Sequence, residues 1–134
     1  MNNNLIKNKK RVKDLGEVFT PEETVEEMLN SIPEAKWKKN LTFLEPSIGN
    51  GNMIIPVLKR KIITYKHDII ESLKTIYGID IMEDNVNECH KRILQTCIDN
   101  GLKEKDLAEA NSIIKRNIIV GNALELDIDN LWND

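Results

Sequence analysis

Apolar positions along the chain switch between two spacings, and the switches mark out the elements. Val25, Met28, Leu29 and Ile32 fall three or four residues apart, the stripe of an amphipathic helix. Thr20 can cap its start, Pro21 suits the first helical position, and Glu22 and Glu23 suit the positive end of the helix dipole. Pro33 ends it. A short apolar run over 41–45, LTFLE, predicts a strand. Residues 52–62 then read as a helix, with Pro56 tolerable in the early turns. A second helical piece is expected between His67 and Lys74, and TIYGID, 75–80, predicts the next strand. Val86, Cys89, Ile93 and Cys97 predict a helix that starts near Glu83 and is stopped by Gly101. One more helix over 103–116 and a strand over 117–120 complete the pattern. Alternating helix and strand predicts an α/β fold, a parallel sheet of about three strands with flanking helices. Residues 1–15 read as a flexible arm, and no repeat or linker divides 16–134.

Composition adds bounds. A chain of 134 residues can build one core. No apolar run approaches the roughly 18 residues of a membrane span, so no membrane partner is expected. The opening MNNNLIKNKK lacks the apolar core and cleavage site of a secretory signal. The expected compartment is the cytoplasm. The net charge of −3 hides an asymmetry: Lys7, Lys9, Lys10, Arg11 and Lys13 make the first thirteen residues basic, on an acidic remainder. Such an arm either touches nucleic-acid phosphates or is a solvated tail. Cys89 and Cys97 sit eight apart in one predicted helix, about 12 Å along its axis, too far for a disulfide. With His90 they make a poor zinc site, so buried free thiols are expected and no metal.

The chemistry concentrates in FLEPSIGNGNM, 43–53, a glycine loop between a strand and a helix. Such loops let backbone approach a ligand closely. The third position of a dinucleotide fingerprint is Ile54 rather than glycine, nothing in 43–58 is basic, and Glu45 would repel a pyrophosphate. Glu45 instead suits a ligand with positive charge. S-adenosylmethionine has an ammonium and a sulfonium, and its carboxylate could take backbone N–H groups at a helix start. Asp80 ends the second strand, where an acid can accept from ribose hydroxyls; Ile81 could pack on an adenine face and Asn122 could meet an adenine edge. Equally, Asp80 could cap the next helix and Asn122 could close a turn.

GEVFTP, FLEPSIGNGNM, YGIDI and GNALELD, in that order, resemble the cofactor-binding motifs of adenine-specific DNA methyltransferases, in the group that includes type I modification subunits. The resemblance runs from about Gly16 to Asp127. It implies a partial Rossmann-like class I methyltransferase fold that binds S-adenosylmethionine, and transfer of a methyl group to the exocyclic amino group of adenine in DNA. It puts Phe19, Thr20 and Pro21 at the methionine end, and Glu45, Ser47, Ile48, Gly49 and Gly51 beneath the cofactor. Asp80 would bind the ribose, Ile81 would stack on the adenine, and Asn122, Ala123 and Leu124 would meet its edge.

The sequence departs from the family in one respect. The four prolines, Pro21, Pro33, Pro46 and Pro56, are never adjacent, so the Asn/Asp-Pro-Pro-aromatic tetrapeptide that holds the target base is absent. The expectation is the cofactor-binding half of such an enzyme, inactive alone, with no catalytic residue to name. DNA would be reached through a missing or partner segment. A complementing methyltransferase half, or another copy, would pair with the open edge of the first strand. The alternatives are a non-catalytic module that binds the cofactor or a methyltransferase, of phage or plasmid type, a degenerate remnant and, further off, a dinucleotide oxidoreductase. Trp132 is expected to pack rather than to replace the missing aromatic ring.

Overall fold

Three parallel strands carry the fold in the spatial order β1 (Phe43–Glu45), β2 (Ile76–Asp80), β3 (Ile118–Val120). This computed structural model describes Lys7, Lys9, Lys10 and residues 20–132. β2 is central: Phe43 pairs with Ile76 and Glu45 with Gly78 on one side, and Gly78 with Ile118 and Asp80 with Val120 on the other. Among the described strands β1 is paired along one edge only.

Helices α1 (Glu22–Asn30) and α2 (Glu34–Lys38) precede β1. The β1–β2 crossover holds α3 (Ile54–Lys59), a π-helical turn over Arg60–Thr64, and α4 (Ile69–Leu73). The β2–β3 crossover holds α5 (Glu83–Asp99), a 3-10 turn at Glu104–Asp106 and α6 (Leu107–Asn117); α7 (Ile128–Leu131) follows β3. Both crossovers step across the sheet in one direction. Right-handed connections therefore lay their helices on the same face, and α3, α5 and α6 all pack on β2.

Side chains alternate along β2. Ile76, Gly78 and Asp80 face the helices, while Tyr77 and Ile79 face the other way. At Gly78 the helical layer comes so close that a Cβ would lie 2.8 Å from Ile48 and 2.9 Å from Ile54. The core on this side gathers Val25 and Leu29 of α1, Leu58 of α3, Cys89 and Ile93 of α5, and Ile114 of α6. The opposite face is covered by the chain after β3. The Trp132 ring lies 4.8 Å from Tyr77, and its indole N–H donates to the Arg116 carbonyl at 3.0 Å. Trp132 is thus a packing residue, as its position in the sequence suggested.

The mixed α/β fold and its parallel sheet follow the alternation in the sequence; several details do not. Thr20 does not cap α1. Pro21, with ψ 151°, is itself the N-cap, and no side chain caps that end. The buried stripe of α1 is only Val25 and Leu29, with Met28 exposed. The helix after the glycine loop starts at Ile54 and loosens into the π turn, where the long Lys61 side chain is buried. Helix α2 was not expected; it forms because Trp37 docks into the core. Residues 128–131, after β3, are helical, an element the alternation in the sequence did not include. Cys89 and Cys97 are buried free thiols, and burial pushes both up to about 12. No group of metal ligands is found among the described residues. No described helix is long and apolar enough to cross a membrane. Most of the basic arm lies outside the described residues; its Lys7 pairs with Asp84 at 3.1 Å, at the acidic start of α5.

Candidate cofactor site

The glycine loop leaves β1 at Glu45 and enters α3 at Ile54. It can turn this sharply because Gly49 and Gly51 hold φ of 61° and 93°, a region that costs side-chain-bearing residues dearly. The loop is tied to β2 twice. The Ile48 N–H donates to the Ile79 carbonyl at 3.0 Å, and the Gly49 N–H donates to Asp80 Oδ2 at 2.8 Å. Asn50 between the glycines is buried, and its Oδ1 accepts from the Asn52 N–H at 3.2 Å. Asn52 Nδ2 donates to the Thr20 carbonyl at 3.1 Å, which brings the chain before α1 onto the loop.

Asp80 is the hub. Its carboxylate is 5% exposed. Besides Gly49, the Met82 N–H reaches Oδ1 at 2.8 Å and Asn85 Nδ2 reaches it at 3.1 Å. The Asp80 carbonyl accepts from the Gly121 N–H at 2.9 Å, so the turn after β3 is joined to the same point. A carboxylate offers about four lone-pair positions, and the described residues fill three. One acceptor position, on Oδ2, is left unfilled by them. Asp80 holds the Met82 N–H and the Asn85 amide at the start of α5, but it does not cap that helix as the sequence allowed: Met82 takes the N-cap position and no side chain caps that end.

Glu45, at the end of the neighbouring strand, accepts from the Ser47 N–H at 3.0 Å. Burial raises its carboxyl above the usual range, the Ser47 N–H opposes the rise, and the negative charge of Asp80 adds to it. Two acids of adjacent strands therefore bracket the loop, and the charge of Asp80 disfavours that of Glu45.

The remaining residues singled out in the sequence divide. Ile48 is buried against Gly78 and belongs to the core. Ser47 is exposed, and Ile81 is 48% exposed just beyond Asp80, with an open apolar face. Asn122 closes a turn: its Oδ1 accepts from the Leu124 N–H at 3.0 Å and its carbonyl from Glu125 at 2.9 Å. Ala123 is half-buried in that turn, and Leu124 is 95% exposed. Thr20 reaches the loop through Asn52, while Pro21 takes up the start of α1, its carbonyl accepting from the Val25 N–H; Phe19 lies outside the described residues.

Arg92 is the residue the sequence reading passed over. No base occurs in 43–58, yet Arg92 of α5 donates from Nη1 to the Asn50 carbonyl at 2.6 Å and lies beneath Gly51. A guanidinium thus does touch the loop, which removes part of the charge argument against a phosphate ligand. It is engaged from the helical side, behind the loop. A groove of about 560 Å³ opens there between α1 and α3, lined by Glu22, Glu26, Asn52, Arg60 and Arg92 among others; it includes neither Glu45 nor Asp80.

No protein-family model, curated protein or solved structure matches the chain.

Proposed function

We infer that the chain is the S-adenosylmethionine-binding portion of an adenine-specific DNA methyltransferase, a partial class I methyltransferase fold. The observation that carries this reading is the pair Glu45 and Asp80 at the carboxyl ends of adjacent parallel strands, bracketing a loop with two glycines in the left-handed region. The carboxyl end of such a sheet is where these folds bind ligands. A site with two acids and a raised Glu45 favours a cation, which sulfonium and ammonium groups supply and a pyrophosphate does not.

The residues present fit the group. Asp80 retains one acceptor position, enough for one ribose hydroxyl. Ile81 offers an exposed apolar face to a purine. Asn122 has spent its Oδ1 on Leu124 but keeps its Nδ2 donor among the described contacts, which suits an acceptor on an adenine edge. The cofactor would supply the methyl group. This chain's residues would bind and orient it, and the residues that grip the target adenine, like those that read DNA, would come from other sequence.

The test is calorimetric titration of the full chain with S-adenosylmethionine, with NAD as control. Saturable binding of the first alone is expected. Binding of NAD alone, or of neither, would overturn the reading.

A further inference from the structure

Two observations meet beside the open edge of β1. The first is Lys61, 2% exposed in the π turn. Its Nζ donates to Asn40 Oδ1 at 2.8 Å and to the Leu41 carbonyl at 2.5 Å. An ammonium has three donors, so one remains. No ion pair joins Lys61 to a carboxylate among the described residues. A buried charge without a counter-charge is costly, and burial pushes this ammonium down to about 8. The second is Trp37, 94% buried, whose indole N–H finds no acceptor among the described residues. Trp37 and Lys61 line one groove of about 260 Å³, with Phe43 and Val57 as apolar walls.

A second groove, of about 270 Å³, is lined by Leu44, Tyr77 and Trp132. Thr42 lines both grooves, so the strand itself separates them. The Phe43 N–H donates to the Thr75 carbonyl at 2.8 Å, towards β2. Peptide groups alternate in direction along a strand, so the N–H and C=O of Leu44 point to the open edge.

We propose that the β1 edge is a docking site for an extended segment of another polypeptide, which adds a strand to the sheet and seats an aspartate or glutamate against Lys61 and Trp37. The peptide groups of Leu44 supply the main-chain pairing. In an added strand, successive side chains point to opposite faces. One residue enters the Lys61 groove, where its carboxylate accepts from the spare ammonium donor and the orphaned indole N–H. The next enters the Leu44–Tyr77–Trp132 groove and is apolar. A free carboxylate would use the first groove but neither the strand edge nor the second groove, so the geometry favours a polypeptide. The inference does not rest on the cofactor reading.

The probe is a phage-displayed library of random dodecapeptides selected on the immobilised full chain. Selected peptides are expected to share an acidic residue with apolar residues next to it, and the synthetic peptide should slow amide exchange at Leu44. Lys61→Met should weaken its binding about tenfold, the loss of one charge-assisted contact. Trp37→Phe, which keeps an aromatic ring but removes the pyrrole half of the indole with its N–H, should weaken it severalfold and serves if Lys61→Met fails to fold. No enrichment, enrichment without an acid, unchanged affinity in a folded variant, or unchanged exchange at Leu44 would overturn the proposal. So would sedimentation showing that the chain alone covers this edge with a second copy of itself.

Discussion

Gly49 and Asp80, thirty-one positions apart in the chain, are joined by a 2.8 Å hydrogen bond from the Gly49 N–H to Asp80 Oδ2. One carboxylate thereby fixes the glycine loop, the start of α5 and, through its own carbonyl, the turn after β3.

Asp80→Ala leaves the Gly49 and Met82 N–H groups and the Asn85 amide without their acceptor, and is expected to cost about 3 kcal/mol of stability. Asp80→Asn keeps the shape and one acceptor oxygen and should cost less. Urea denaturation of both variants gives the ordering. Equal stability of the alanine variant and the parent would mean that the hub is not fixed as described.

Gly78 has no room for a methyl group, because Ile48 and Ile54 stand within 3 Å of the Cβ position. Gly78→Ala should destabilise by about 1–3 kcal/mol through overpacking. Pairing the change with Ile48→Val, which removes one of the obstructing groups, should recover part of the loss in the same denaturation experiment.

Lys61 and the two thiols impose opposite pH trends. The Lys61 ammonium titrates at about 8 when folded against an ordinary value of 10.5. Between those values the unfolded chain binds more protons, so stability rises with pH. Cys89 and Cys97 titrate at about 12 against 9.0; above about pH 9 the folded chain holds more protons and stability falls. Denaturation midpoints should climb gently from pH 8 to 9, by less than ~1 kcal/mol, and then decline. In Lys61→Met the climb should vanish while the decline stays.

Glu45 makes one described hydrogen bond, to the Ser47 N–H, so its charge can be removed with little structural loss. If the site holds a cationic ligand, Glu45→Gln should weaken S-adenosylmethionine binding about fivefold, roughly 1 kcal/mol. Calorimetry on the folded variant reads this directly, and unchanged affinity would remove Glu45 from the site.

The parts of this molecule legible in the sequence are those written by local rules. The spacing of Val86, Cys89, Ile93 and Cys97 announces α5, and two glycines after an apolar run announce the loop. The failures are tertiary. Helix α2 has five residues and exists because Trp37 has a place in the core, which no periodicity reveals. The π turn follows from placing Lys61 under the Asn40–Leu41 segment, twenty positions away. Thr20 looked like a helix cap by type, but its carbonyl is used by Asn52 and Pro21 takes the cap position. Arg92 could not be assigned to the loop because its target, the Asn50 carbonyl, is backbone and leaves no trace in residue type. A basic residue about one turn along α5 from Cys89, and next to Ile93, was the only available signal.

The strand order β1–β2–β3 repeats the order of synthesis. Each strand can meet its neighbour once one helical crossover has been made, so the sheet can grow in order as the chain leaves the ribosome, with each parallel pairing waiting on a long connection. The loop waits too. Gly49 is made well before Asp80, and Asp80 is joined last by Gly121. A nascent chain that has not reached Asp80 therefore carries the loop without its anchor, and the turn after β3 is added to that point later, through the Asp80 carbonyl.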